Sequence, residues 1–331
     1  MDLRNLNILV TGGAGFIGSH LVDELLKENR VVILDDFSSG KRENIAHHEG
    51  NPNLRVVTGD VRNRELLEEI TRDIDIVYHL AVRCLRESIG SPETTHEVNA
   101  TGTLALLKAS LAHSVRRFIY VSSSEVYGTA HYVPMDEKHP FEPTTVYGAS
   151  KVAGELYTLA YQKTFGYPSM VVRPFNTYGP RSHFEGVYGE VIPRFVLRIL
   201  NGKPPIIFGD GTQTRDFTFV ADTVRGILLA SQCDAMIGQA VNIARGREVS
   251  INDLASIIAQ QLGRNDLSPI HERKRPGDVM RHYADISKAT RLFGFVPDVD
   301  IEQGITSYIE WFRAQDYSAG ELLDGERVFN W

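Results

Sequence analysis

Between the apolar run Asn7-Ile8-Leu9-Val10 and a segment with apolar residues at helical spacing, Phe16 to Leu26, lies Thr11-Gly12-Gly13-Ala14-Gly15-Phe16-Ile17-Gly18. Glycines at a strand-to-helix junction allow a tight turn and let backbone N–H groups approach a pyrophosphate at the positive end of the helix. A glycine turn without a ligand has the same composition, so two further residues matter. Asp35 closes the second apolar run, Val31 to Leu34, where a carboxylate can bind the adenosine ribose hydroxyls and repel a 2′-phosphate. Asp60-Val61 follows the third run, where the adenine ring would lie. Gly12, Gly15, Phe16, Ile17, Gly18, Asp35, Asp60 and Val61 are the candidate cofactor contacts. NAD is the expected cofactor, with Lys41 and Arg42 leaving a small opening for NADP.

The runs Val31–Leu34, Arg55–Val57, Ile74–His79, Phe118–Val121 and Met170–Val172 are mostly apolar, the pattern expected of strands buried on both faces. Helical patterns separate them, including Thr94 to Ala112 and Val146 to Phe165, which predicts right-handed crossovers and a parallel sheet. The fold class is α/β, a Rossmann-type doubly wound sheet with a smaller C-terminal lobe. The expected division is residues 1–175 for the cofactor domain and 176–331 for a substrate lobe that returns to the first in places. Segments 174–190 and 201–217, rich in Gly, Pro and polar residues, read as loops lining a site.

A net charge of −7, with no long basic run, argues against nucleic acid or a membrane surface as partner. No apolar run approaches the ~20 residues of a membrane span. The N-terminus lacks the basic start and apolar core of a signal peptide, so the cytoplasm is the expected compartment. Cys84 and Cys233, the only cysteines, exclude a disulfide framework. No His/Cys cluster has metal-ligand spacing, and His47-His48 reads as a surface pair, so no metal is expected.

Tyr147-Gly148-Ala149-Ser150-Lys151 sets a phenol and an ammonium four residues apart on one helix face. A cation beside a tyrosine lowers its pKa, so a phenolate can take a hydroxyl proton near neutral pH. Ser122-Ser123-Ser124-Glu125-Val126-Tyr127-Gly128 follows the fifth strand, at the carboxyl edge of the sheet where ligands bind in open α/β folds.

These stretches, with His79-Leu80-Ala81, Asn99-Ala100-Thr101-Gly102-Thr103, Arg173-Pro174-Phe175-Asn176, Gly209 to Phe217 and Arg275-Pro276-Gly277-Asp278, resemble the extended short-chain dehydrogenase/reductases, in the nucleotide-sugar epimerase/dehydratase branch. The resemblance runs from residue 11 to residue 278 and implies a nucleotide-diphosphate sugar substrate. It implies that Tyr147 deprotonates the sugar 4-hydroxyl while hydride passes from C4 to NAD, that Lys151 holds the nicotinamide ribose, and that Ser123 hydrogen-bonds the same hydroxyl. Leu80, Ala81, Asn99 and Pro174 would join the cofactor contacts, while Ser124, Asn176, Arg215 and Arg275 would meet the substrate. The competing reading of Arg215 is a local salt bridge to Asp216. A homodimer is likewise implied by the resemblance alone.

The 4-keto sugar is common to several reactions. Glu125 occupies the place where dehydratases and decarboxylases of the family carry a glutamate able to act at C5. The common dTDP-hexose dehydratases carry an Asp-Glu pair, where this chain has Ser124-Glu125, although the GDP-mannose dehydratases lack that Asp. Decarboxylases resemble one another in an arginine ahead of a Lys-Pro-Asp-Ile run; His282 stands there in this chain, with Arg281 one residue early. Glu125 could instead bond nearby backbone. Arg83 and Arg86 break the usual pattern after His-Leu-Ala, and either could face an acidic sugar or simply solvent; Arg83 is taken as a substrate contact. Cys84 reads as a buried small residue. The expectation is UDP-hexose 4-epimerisation, with NDP-sugar 4,6-dehydration, then UDP-glucuronate decarboxylation, as alternatives. A non-catalytic NAD-binding regulator is the alternative of another class.

Overall fold

The computed structural model describes residues 1–184, 188–315, 322–323 and 328–329. The first half alternates as the apolar runs require: β1 (Asn7–Thr11), α1 (Phe16–Leu25), β2 (Arg30–Asp35), β3 (Leu54–Thr58), α2 (Arg64–Ile70), β4 (Ile76–His79), α3 (Leu85–Gly90), α4 (Pro92–His96), α5 (Thr103–Ala112), β5 (Arg117–Val121), α6 (Val146–Phe165) and β6 (Ser169–Pro174). The helix expected from Thr94 to Ala112 is broken into α4 and α5 by a π-helical turn, Glu97–Gly102. There follow β7 (Thr177–Tyr178), α7 (Val191–Leu200), β8 (Ile206–Phe208), β9 (Thr214–Arg215), β10 (Thr218–Phe219), α8 (Val220–Gln232), β11 (Ala240–Ile243), β12 (Val249–Ser250), α9 (Ile251–Gln261), β13 (Ile270–Glu272), α10 (Ser287–Phe293) and α11 (Ile301–Ala314).

Seven parallel strands form the central sheet in the order β11-β6-β5-β4-β1-β2-β3. Alternate residues of each strand serve opposite layers. Ile8, Val10, Val31 and Ile33 pack on α1, α8 and α10, and Leu9, Leu34 and Val77 pack on α2 and α5. Chain order reverses direction between β1 and β4, so their carboxyl ends open a crevice there. A second core gathers α7, α9, α11 and β8, and a small third one, with Tyr127, Met135, Phe175 and Ala284, lies beneath the loop after β5. Residues 220–243 are therefore part of the sheet layer although they lie late in the chain. Among the described residues no helix is long and apolar enough to cross a membrane.

Candidate active site

Two adjoining clefts sit over the carboxyl edge of the sheet. The first, about 260 Å³, is lined by Gly12, Gly15 to Gly18, Asp35, Asp60, Val61, Leu80 and Ala81, and reaches Tyr147 and Lys151. Gly12 adopts φ +71°, and a Cβ there would stand 2.7 Å from the backbone nitrogen of Ala81, so this turn admits glycine alone. Gly15 caps α1 without a side-chain hydrogen bond, which leaves the N–H groups of the first helical turn available to an anion. Asp35 is buried; its carboxylate accepts from Ala14 N and Phe37 N, both at 2.9 Å, and burial raises its pKa. It thus locks the glycine turn to the end of β2. Ser122 Oγ, at the seam of the two clefts, is buried without a partner. An uncapped helix start, a turn closed to any Cβ and an orphaned hydroxyl fit a dinucleotide.

Behind this cleft runs a directed chain of hydrogen bonds. Ala81 N–H donates to Thr11 Oγ1 at 3.2 Å, so the Thr11 hydroxyl donates to His79 Nδ1 at 2.6 Å. His79 Nε2–H then donates to Thr103 Oγ1 at 2.9 Å, and Thr103 donates to Asn99 O at 2.6 Å. Burial lowers the His79 pKa to about 3, which keeps it neutral and this direction intact. The chain ends in the π-helical turn. There the side chain of Asn99 bonds Arg83 N, Arg83 O and Ser150 Oγ, and Ser150 in turn holds Tyr147 O at 2.7 Å. Asn99, expected to touch cofactor, does not line the cleft: its side chain is spent on positioning these neighbours.

Tyr147 and Lys151 share the inner face of α6, which Thr145 caps by accepting from Gly148 N at 3.1 Å. Ser123 lies beside the Tyr147 phenol and draws its pKa down. Burial, aided by Glu125, Cys84 and Glu190, pushes that phenol well above its ordinary pKa. Lys151 does not offset this as the residue spacing suggests. Its ammonium donates to Val121 O at 2.6 Å, lies 4.4 Å from the Tyr120 ring centroid, and is lowered by burial to about 7, with Glu155 opposing. Desolvation outweighs the pairing because both groups are inside the protein.

The second cleft, about 350 Å³, runs from Ser122, Ser123, Ser124, Glu125 and Tyr147 past Asn176 to an apolar end with Phe195, Ile207 and Phe208. Asn176 Nδ2 is buried without a partner there. Arg215 and Arg275 converge on a single oxygen, Asp278 Oδ1, at 2.6 and 2.7 Å. Arg215 therefore does not pair with Asp216. That carboxylate instead accepts backbone N–H groups from Arg245, Gly246 and Ala284, and burial raises it to about 7. Glu125 lines the cleft, and among the described residues its carboxylate has no hydrogen bond or ion pair, so the backbone-bonding reading is not realised. Pro174 lines this cleft and not the first.

Arg83 lies elsewhere than expected. It lines the first cleft only, pairing with Asp36 at 2.9 Å and Glu87 at 3.5 Å, because two carboxylates on that side draw it away from the substrate side. Arg86 lines both clefts and donates to Tyr188 O at 3.3 Å. Arg281 pairs with Glu248 and lines neither cleft, and His282 is buried with Nε2 on Gly128 O at 3.0 Å. Residue spacing gave no sign of Glu190, which immediately precedes α7, lines both clefts and is raised by burial to about 7. Asp278 closes the Arg275-Pro276-Gly277-Asp278 stretch, but only the fold shows what it joins.

A model of the family described as GDP-mannose 4,6-dehydratase matches residues 9–308. A putative UDP-glucose 4-epimerase of Methanocaldococcus jannaschii is 39% identical over 92% of this chain and 98% of its own length. Among solved structures, the UDP-N-acetylglucosamine 4-epimerase of Methanobrevibacter ruminantium, in complex with UDP-N-acetylmuramic acid, superposes with a TM-score of 0.89 at 36% identity, over 94% of this chain and 99% of that one. The dTDP-glucose 4,6-dehydratase DesIV of Streptomyces venezuelae, with NAD bound, gives a TM-score of 0.90 at 32% identity, over 97% and 100%.

Proposed function

Because the chain belongs to the GDP-mannose 4,6-dehydratase family, in the nucleotide-sugar epimerase/dehydratase branch of the extended short-chain dehydrogenase/reductases, we propose that it uses NAD to oxidise a nucleotide-diphosphate sugar transiently at C4, and that the net reaction is 4-epimerisation of a UDP-hexose. The observation that carries this reading is the seam itself. Ser122 and Tyr147 line both clefts, with Ser123 beside the phenol and Lys151 behind, so one hydroxyl of a sugar in the second cleft can meet the base beside a cofactor in the first. A non-catalytic regulator has no need of that set.

NAD supplies a reversible hydride acceptor. With the positive nicotinamide ring of a bound NAD offsetting the burial that otherwise holds it as a phenol, Tyr147 would as phenolate take the proton of the 4-hydroxyl and return it to the 4-oxygen when the hydride comes back. Ser123 holds that oxygen through both half-reactions, and Lys151 stands ready for the ribose. Arg215 and Arg275 hold the diphosphate; each guanidinium keeps further N–H donors beyond its bond to Asp278. Epimerisation requires only that the keto sugar rotate before the hydride returns, and relatives named as 4-epimerases, at 39% and 36% identity, support that reading.

One observation favours a second reading. The unpartnered carboxylate of Glu125 in the substrate cleft could take the C5 proton of a keto sugar, as 4,6-dehydration needs. Incubating UDP-, dTDP- and GDP-sugars with the protein in heavy water, followed by mass-resolved chromatography, separates the two. Epimerisation gives a new peak of unchanged mass without deuterium. Loss of water with deuterium gained makes Glu125 the C5 base, and loss of carbon dioxide makes the enzyme a decarboxylase. Recovery of every sugar unchanged, with NAD present, would overturn the proposal.

A further inference from the structure

Away from both clefts, the fold brings together three residues distant in sequence. Asp23 projects from α1, and His47 and His48 stand in a short 3₁₀ turn, Ala46–His48. Both imidazoles direct Nε2 at one oxygen, Asp23 Oδ1, each at 2.8 Å, with ring centroids 4.1 Å apart. The three donor atoms lie within 4.8 Å of one another, the only such group of His, Cys, Asp or Glu among the described residues. The other carboxylate oxygen, Oδ2, is held by Arg181 at 2.8 Å.

We propose that Asp23, His47 and His48 form a binding site for a divalent transition-metal ion, zinc by its donor set, that clasps the 41–48 segment to the first helix. Two imidazole nitrogens and one carboxylate oxygen, with a fourth position open to water, are a common zinc environment. Hard cations such as magnesium and calcium prefer all-oxygen sets. Zinc would bind each imidazole as its Nδ1–H tautomer: the Nε2 protons that now point at Oδ1 would pass through solvent to Nδ1, and the freed Nε2 lone pairs would converge on the ion beside Oδ1. Arg181 plays two opposed parts. It fixes the carboxylate from outside, as outer-shell partners of metal ligands do, while its charge repels the cation and moderates affinity. None of the three ligands lines a cleft, so the ion would take no part in the chemistry. Its consequence would be mechanical: the clasped segment carries Lys41, whose N–H donates to Ala14 O at 3.0 Å, and Asn44, whose Nδ2 donates to the same oxygen at 2.9 Å. The glycine turn would be braced from outside.

The test uses the full chain without a histidine tag. Zn²⁺ is titrated in competition with a chromophoric chelator, and Co²⁺ is added separately to read its visible d–d absorption. One equivalent per chain is expected, with the intense Co²⁺ bands of a four-coordinate site, a raised Tm with Zn²⁺, and at least a tenfold loss of affinity (roughly the least expected when a metal ligand is removed) in His48→Ala or Asp23→Asn. Should Asp23→Asn fail to fold, His47→Ala, whose side chain is 45% exposed, gives the same readout. Zinc affinity unchanged in the variants, or no Co²⁺ bands in the wild type, would overturn the site.

Discussion

At the scale of residues, Asp278 shows how one carboxylate can hold two arginines of the second cleft together. Its Oδ1 takes a hydrogen bond from both Arg215 and Arg275, and the carboxylate is itself nearly inaccessible, at 7%. Asp278→Asn should loosen both guanidinia and lower kcat/KM by about 1.5–3 kcal/mol, the usual worth of a hydrogen bond to a charged group, with KM rising more than kcat falls. Steady-state kinetics on the substrate found by the sugar panel would check this. Tyr147→Phe should cut kcat by roughly 10²–10⁴, the range for a lost general acid–base group, while the protein still binds NAD. Lys151 makes a pH prediction with a definite sign. Its folded pKa is about 7 against an ordinary 10.5, so between those values the unfolded chain binds more protons and stability rises with pH. Lys151→Met lacks that increment. The Tm gap between the cofactor-free variant and wild type should therefore shift in favour of wild type from pH 7 to pH 10. The Tyr147–Lys151 pair is legible in the sequence from residue type and spacing, and Ser123, Asn176, Arg215 and Arg275 only through the family resemblance; all six line the two clefts. Glu190 and the turn of Arg83 toward Asp36 are not legible there, since both depend on contacts between distant segments.

Among elements, α6 and β6 are joined by a buried charge pair. Arg173 donates through Nε and Nη2 to Glu155 at 2.6–3.1 Å, and through Nη1 to Tyr127 at 2.6 Å. Tyr127 passes the connection to Asn242 on β11 at 2.7 Å. Glu155 is 0% exposed, so Glu155→Ala would leave Arg173 charged and unpaired inside the protein. The expected cost is about 3–5 kcal/mol, read as a lower denaturation midpoint with an unchanged slope. Thr145→Ala, which removes the cap of α6, should cost only about 1 kcal/mol. The strands β1, β2, β4 and β5 were legible as apolar runs, and α6 to within its bounds, because burial on both faces and helical periodicity leave strong patterns. The π-helical turn was not. Its extra residue changes hydrogen bonding, not hydropathy, and what it positions, Asn99, is revealed only by the partners it meets.

For the whole molecule, the two halves of the chain are interleaved. Val220, Val224 and Ile227 of α8 and Val241 and Ile243 of β11 complete the same core as Ile8, Val10 and Leu21. β11 takes the open edge of β6 in register, Ala240 opposite Val171. A Rossmann-type sheet was predictable from the first half alone. The strand that finishes it was not, because Ala240–Ile243 is too short to stand out in an apolar profile. A fragment of residues 1–175 should accordingly fail to give a monodisperse product by size-exclusion chromatography, where the full chain succeeds. The same edge constrains synthesis on the ribosome. While residues up to about 235 emerge, β6 exposes unpaired backbone groups beside an uncovered apolar layer, the arrangement most prone to capture by other strands. The nascent chain can close its sheet only in the last third of translation, so premature termination before residue 240 would release an aggregating polypeptide in place of a smaller working domain.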